Sequence, residues 1–184
     1  PGFVRKLFEA EVPEIKSGQV VIKGLVREPG FRTKMAVYSE DPDIDAVGAC
    51  VGNRGLRVGN IVSELGGEKI EIIPWCEDPL EFIARSLSPA KVIMVEANEA
   101  ERSAKVIVKD DMLSLAIGRD GQNARLAARL TNWKIDVRPY SSVRKAIEAE
   151  EAAETAETAP AAQAPAEDAA GKTEAEADNG GTEA

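Results

Sequence analysis

Two glycine-bracketed tetrads, Gly52-Asn53-Arg54-Gly55 and Gly118-Arg119-Asp120-Gly121, stand sixty-six residues apart in this chain. Each follows a short apolar run and opens an amphipathic helical pattern. The text behind each tetrad repeats as well. Glu68-Lys69-Ile70-Glu71-Ile72-Ile73 after the first corresponds to Trp133-Lys134-Ile135-Asp136-Val137-Arg138 after the second. These lysines are sixty-five apart, so the copies differ by one residue within the intervening helix or turn. A repeat of this length exceeds most solenoid periods and predicts two small domains in tandem, at 1–75 and 76–140.

Element signals follow the same order in each copy. In the first, helical spacing over 3–11 places Phe3, Leu7 and Phe8 together and stops at Pro13. Two β-rich stretches at 19–26 and 32–39 flank the turn composition of Glu28-Pro29-Gly30. A short helix is expected at 44–51. After the first tetrad, Val58, Ile61, Val62 and Leu65 fall at the spacing of one buried helical face, and Gly66-Gly67 ends it before a strand at 69–73. The second copy reads as a helix at 79–87 with Phe82, Ile83 and Leu87 inward, strands at 91–96 and 104–109, and a helix at 112–117. A helix at 122–130 then turns Leu126, Ala127 and Leu130 inward, and a strand at 134–138 closes the copy. The fold class is therefore α/β in the α+β sense: helix, strand, strand, helix, loop, helix, strand, twice. The linker 75–78 is too short for the units to tumble independently. Residues 141–150 have some helical character, with Val143 and Ile147 at i and i+4.

Composition divides the 184-residue chain sharply. Residues 151–184 hold nine acids, one base (Lys172), no aromatic residue and no apolar side chain larger than alanine. Such a segment cannot bury enough surface to offset its ordering entropy, so a disordered acidic tail is expected. The whole-chain charge of −9 belongs mostly to that tail, leaving 23 acids against 22 bases in the first 150 residues. A near-neutral body binds a polyanion through local patches. Arg54 and Arg57 have no acid between them, and Arg119, Arg125 and Arg129 outweigh Asp120.

The chain has no histidine, which removes histidine metal sites and every Ser-His or Cys-His arrangement. Cys50 and Cys76 lack metal-ligand spacing and read as buried free thiols in a reducing, cytoplasmic compartment. No catalytic residue, metal or cofactor is implied. No apolar run approaches the roughly 20 residues of a membrane span, so no membrane partner is expected. The start Pro1-Gly2-Phe3 resembles neither a signal peptide nor a natural beginning, and a piece of a longer protein is expected.

Glycine brackets have a specific chemistry. Without a Cβ, glycine admits positive φ and lets the backbone approach another molecule closely. Where such a loop enters a helix, free N–H groups and the positive dipole end attract anions. Two glycines around two polar residues thus make a backbone clamp for phosphate. The isolated pattern is common in structural turns. The duplication, the flanking helices and the following strand together point to a reader of nucleic acid instead of an enzyme. The Gly118 tetrad also lacks the Lys-Ser/Thr ending of a nucleotide-hydrolysing loop.

The element order with its GxxG loop resembles a type II KH domain, whose loop clamps a short stretch of nucleic-acid backbone. More specifically, Val47-Gly48-Ala49-Cys50-Val51-Gly52-Asn53-Arg54-Gly55 with Glu64-Leu65-Gly66-Gly67-Glu68-Lys69-Ile70 resembles the first KH domain of the bacterial NusA transcription-factor family. Ala116-Ile117-Gly118-Arg119-Asp120-Gly121-Gln122-Asn123-Ala124-Arg125-Leu126-Ala127 resembles the second. The resemblance covers about 3–140. It implies one continuous surface for single-stranded RNA, a nascent transcript. It also implies a partnership with the RNA polymerase complex through the full-length protein, in elongation, pausing, termination and antitermination. That family carries a polymerase-binding domain and an OB-fold ahead of the KH pair, and neither is present here. The acidic tail is outside the shared pattern.

The residues expected at the interface are the backbone of Gly52, Asn53, Arg54 and Gly55 and of Gly118, Arg119, Asp120 and Gly121. Arg54, Arg57, Arg119, Arg125 and Arg129 add charge. Gln122 and Asn123 carry donors and acceptors suited to base edges, with helix capping the competing role for Asn123. Aromatic side chains are expected in the core, and an apolar groove lined by valine and isoleucine of each second strand is expected to add fit. The tail is expected to compete with RNA for the basic patches. The alternatives are a KH-fold protein-interaction scaffold and an RNA-maturation factor.

Overall fold

The computed structural model describes residues 1–145, so the expected tail lies outside the described residues; of the expected extension at 141–150, residues 141–145 are helical, continuing from Tyr140, and the rest lies outside the described residues. The first unit comprises α1 (Gly2–Glu11), α2 (Pro13–Lys16), β1 (Val21–Glu28), β2 (Arg32–Tyr38), α3 (Ala46–Val51), α4 (Leu56–Glu64) and β3 (Lys69–Pro74). The second comprises α5 (Pro79–Ser86), β4 (Val92–Asn98), β5 (Ser103–Val108), α6 (Leu113–Ile117), α7 (Gln122–Thr131) and β6 (Lys134–Pro139). Pro13 does end α1, and it then opens α2 as the first helical residue, where its missing N–H costs nothing.

Each unit has a three-stranded sheet in chain order. The hairpins β1/β2 and β4/β5 are antiparallel, whereas β2/β3 and β5/β6 are parallel. A parallel neighbour needs a crossover, and α3–loop–α4 and α6–loop–α7 provide it. The glycine loop is therefore the midpoint of the connection that closes each sheet. Asp45 starts α3 by accepting the Val47 N–H at 3.1 Å, and Asp78 with Pro79 starts α5 by accepting from Leu80 at 2.9 Å.

Each sheet packs one face on its own helices. The first core joins Val4 and Phe8 of α1, Met35 and Val37 of β2, Cys50 of α3 and Ile61 of α4. Val4 and Phe8 form the buried stripe of α1, while Phe3, expected inside, is 52% exposed. The second core joins Ile83 and Leu87 with Ala104, Val106 and Val108, Ala116 and Ala127. Leu126 and Ala127 are buried as expected, but Leu130 faces the first unit.

The opposite face of the first sheet is covered by the second unit, which explains why β2 is buried from Thr33 to Val37 without alternation. Ala36, Ile73 and Phe82 form the junction core, with Trp75, Cys76 and Leu130 against it. Gly24 of β1 admits α7 closely, because a Cβ there would lie 3.0 Å from Leu130 Cδ1. The buried Lys34 ammonium donates to the Ser88 carbonyl at 2.9 Å and pairs with Glu71 at 2.6 Å. Burial lowers the Lys34 pKa, and Glu71 works against that shift. Trp75 of the linker meets Tyr38 and Phe82 edge-on, with the Lys23 ammonium 4.7 Å above its ring.

A second buried charge fixes the β1/β2 hairpin. The Glu68 carboxylate accepts from Arg27 at 2.8 Å, from the Thr33 hydroxyl at 2.6 Å and from the Gly30 N–H at 2.9 Å. The Arg27 hydrogen bonds chiefly hold its pKa down at about 2, overcoming burial, with help from Thr33 and Gly30.

Candidate nucleic-acid interface

The two loops have nearly the same backbone. Gly52, Arg54 and Gly55 have φ of 74°, 53° and 76°; Gly118, Asp120 and Gly121 have 77°, 53° and 73°. The ψ values of 175° and 173° at Gly52 and Gly118 complete a conformation that is essentially restricted to glycine. Gly52 and Gly118 donate back to Gly48 and Ser114, and Gly55 and Gly121 donate to Gly52 and Gly118. Between these bonds, Asn53 and Arg54, like Arg119 and Asp120, are the first two residues of a short helical turn, whose N–H groups have no acceptor within the turn itself. Each loop thus offers two such donors at the start of a helix, the arrangement that attracts an anion.

The fifth residue after each leading glycine holds the loop from behind. A Cβ on Gly52 would lie 2.6 Å from Arg57 Cγ, and one on Gly118 would lie 2.8 Å from the Asn123 backbone N. Arg57 donates to the Ala49 carbonyl at 2.6 Å and pairs with Glu14 at 3.0 Å. Asn123 is fully buried, and its amide donates to Leu87 and Ala116 at 3.0 Å and to Leu115 at 3.4 Å. Both side chains tie the helix before the loop to the helix after it. The burial of Asn123 corrects the expectation that it meets a base edge and leaves it the bracing role; Arg57, expected to add charge, is half-buried and engaged by Glu14 and Ala49.

The remaining candidates separate by exposure. Asn53, Arg54 and Arg129 are exposed, and Arg54 and Arg129 make no ion pair among the described residues. Arg119 is 94% exposed and stands 3.6 Å from Asp120. Arg125 donates to the Asp120 carbonyl at 2.8 Å and pairs with Glu28 at 3.3 Å, and Gln122 donates to Glu28 at 2.7 Å. The second loop therefore rests against the first unit's hairpin. Arg32 completes this contact by donating to Asn123 Oδ1 at 3.4 Å.

Glu28, Phe31 and Arg32 were not among the sequence-derived candidates, since Glu28-Pro29-Gly30 signalled only a turn. Phe31 corrects the expectation that aromatic residues sit in the core, because it is 70% exposed. The expected groove wall is also corrected: Val37 of β2 and Val106, Ile107 and Val108 of β5 are buried beneath other elements. Half-buried Ile70 and Ile72 of β3 and Ile135 and Val137 of β6 are more accessible. Leu56, Leu115 and Ile117 are exposed beside the loops. Cys50 is buried and its thiol is pushed up to about 12, mainly by burial; Cys76 is only partly buried, and burial raises it too.

Two family models match the chain, the NusA-like first KH domain over residues 1–75 and the NusA-like second KH domain over residues 79–145. The chain belongs to the NusA family. Three relatives named transcription termination/antitermination protein NusA are each 55% identical to it. The Halalkalibacterium halodurans and Bacillus subtilis proteins match over 145 residues, 79% of this chain, and the Mycobacterium tuberculosis protein over 139 residues, 75% of it. The matched region is 38%, 39% and 40% of those proteins, so the chain spans about two fifths of the NusA relatives it matches. Among solved structures, the crystal structure of APE1850 has a TM-score of 0.54 at 20% identity, covering 73% of this chain and 95% of that one. That likeness shows the fold alone.

Proposed function

We propose that this NusA-family KH pair binds single-stranded RNA along a surface formed by both units, with each glycine loop clamping the phosphate backbone. The single observation that carries this reading is the repeated glycine turn, which sets the N–H groups of Asn53 and Arg54 and of Arg119 and Asp120 at the opening of a helical turn with nearly the same backbone in both units. Arg54 and Arg129 supply most of the charge around the loops, Arg119 and Arg125 add less because each stands beside a carboxylate, and Gln122 reads a base edge. Gly52, Gly55, Gly118 and Gly121 supply the backbone shape, while Arg57 and Asn123 brace it. The division between units falls at 75/76. Within a full-length NusA protein, the RNA held here is the nascent transcript beside RNA polymerase, and holding it affects pausing, termination and antitermination.

The test is binding of a single-stranded RNA panel by the parent and by acidic loop variants. Asn53→Asp with Arg54→Asp makes the first loop Gly-Asp-Asp-Gly; Arg119→Asp alone does so in the second, where Asp120 is already present. These side chains are exposed, so circular dichroism should stay unchanged while affinity falls with each loop and furthest with both. A double-loop variant that binds like the parent would mean that the loops are structural turns and that the pair is a protein scaffold.

A further inference from the structure

We propose a base-binding subsite at the junction of the two units, in the cleft between the β1/β2 hairpin and the second glycine loop, for a nucleobase that carries an exocyclic amino group. This inference rests on the RNA-binding reading and deepens it.

The cleft holds about 420 Å³ and is lined by Glu28, Phe31, Arg119, Asp120, Gln122 and Arg125. Its walls come from both units, so it exists only because they are docked. Phe31 supplies an aromatic face that is 70% exposed, yet its backbone is pinned from both sides. Its N–H donates to Glu28 at 3.0 Å, its carbonyl accepts from Lys69 at 3.2 Å, and the neighbouring Gly30 N–H is held by buried Glu68. An exposed ring on a fixed backbone is a stacking platform whose backbone ordering cost is already met by the fold. Lys69 opens β3, the strand beside the first unit's loop helices, so the platform lies between the first unit's edge strand and the second loop.

The charges select a base over a phosphate. Arg125 is paired with Glu28 and Arg119 stands beside Asp120, so the two guanidinium groups facing the cleft meet two carboxylates. A phosphate would gain little there. A neutral base gains a face on Phe31 and polar groups at its edge. The Glu28 carboxylate accepts one bond from Gln122 and one from Arg125, and a carboxylate has about four lone-pair sites. Its spare acceptor capacity fits the amino group of cytosine, adenine or guanine; a carboxylate reads the cytosine amine in this way in DNA grooves. Uracil has no such amine.

The experiment uses the full chain and single-stranded RNAs in which uridine replaces each position of an adenosine-rich oligomer in turn, read by fluorescence anisotropy. Phe31→Ala should weaken binding about tenfold with an unchanged salt slope, because stacking is lost and phosphate contacts are kept. Phe31→Trp should retain the parent's affinity. Uridine should be disfavoured at one position by the parent, and Glu28→Gln should flatten that discrimination. If Phe31→Ala binds like the parent while the acidic loop variants lose RNA, the subsite is wrong and the clamp reading stands. If the parent binds no RNA, both fall.

Discussion

The Asn123 side-chain amide donates to the Ala116 carbonyl at 3.0 Å, bridging α7 back to α6 beneath the second glycine loop. The same amide reaches Leu87, and its oxygen accepts from Arg32 of the other unit. Replacing Asn123 by alanine strands buried carbonyls and loosens the unit junction at once. We expect Asn123→Ala to cost about 2–3 kcal/mol, given the desolvation penalty for buried unsatisfied groups. Gln122→Ala, next in the chain but partly exposed, should stay within about 0.5 kcal/mol of the parent. Urea unfolding of the two variants checks this, and equal midpoints would remove the bracing role.

The two glycines of a bracket should respond unequally. At Gly118 a Cβ would lie 2.7 Å from Asn123 Cβ and 2.8 Å from its backbone N, neither of which moves easily. Overpacking and a glycine-restricted backbone conformation together predict a loss of about 3 kcal/mol or more for Gly118→Ala. At Gly55 nothing lies within 4 Å of such a Cβ, and only the positive φ opposes it. Gly55→Ala should therefore cost about 1–2 kcal/mol. Thermal melts of both variants give the order, and a reversed order would contradict the loop geometry.

Salt dependence gives an independent view of the clamps. If about four to six phosphates are engaged, log K should fall against log salt with a slope of about −3 to −4, and each lost phosphate contact should reduce it by about 0.7. Arg129→Gln, on an exposed side chain without an ion pair among the described residues, should flatten the slope without altering stability. Titrations at several salt concentrations read this directly. A slope near zero in the parent would sink the electrostatic part of the RNA reading.

What could be read in the sequence was what local chemistry dictates. The glycine brackets announced positive φ, the 3.6-residue spacing of Val58, Ile61, Val62 and Leu65 announced α4, and the repeated Lys-Ile strings announced β3 and β6. The unread parts depend on partners far along the chain. Arg32 and Asn123 are 91 residues apart and Glu28 and Arg125 are 97 apart, and no periodicity links such pairs. An asparagine in the first turn of a helix reads equally as a cap, a base contact or a buried brace until the neighbouring carbonyls are known. Phe31 beside Pro29-Gly30 has the kind of side chain that usually packs inside, yet a hairpin tip has no core to offer it. Lys34 of β2 is buried because a second unit covers that face, where its ammonium donates to the Ser88 carbonyl.

Glu68 makes stability depend on pH in a predictable direction. Its carboxyl titrates at about 2 in the folded protein, against an ordinary 4.5. A carboxyl whose folded pKa is depressed stabilises the fold fully above its unfolded pKa and loses that contribution as pH falls through the folded value. The difference corresponds to about 3 kcal/mol, present near neutrality and lost between roughly pH 4.5 and 2. Glu68→Gln removes the charge that Arg27, Thr33 and Gly30 stabilise, so the variant should be less stable at pH 7 and should vary less across the acidic window. Urea midpoints from pH 7 to 2 for parent and variant should converge at the acid end, as protonation makes the parent's carboxyl neutral like the variant's amide. Curves that stay parallel throughout would show that this carboxyl does not link protonation to folding.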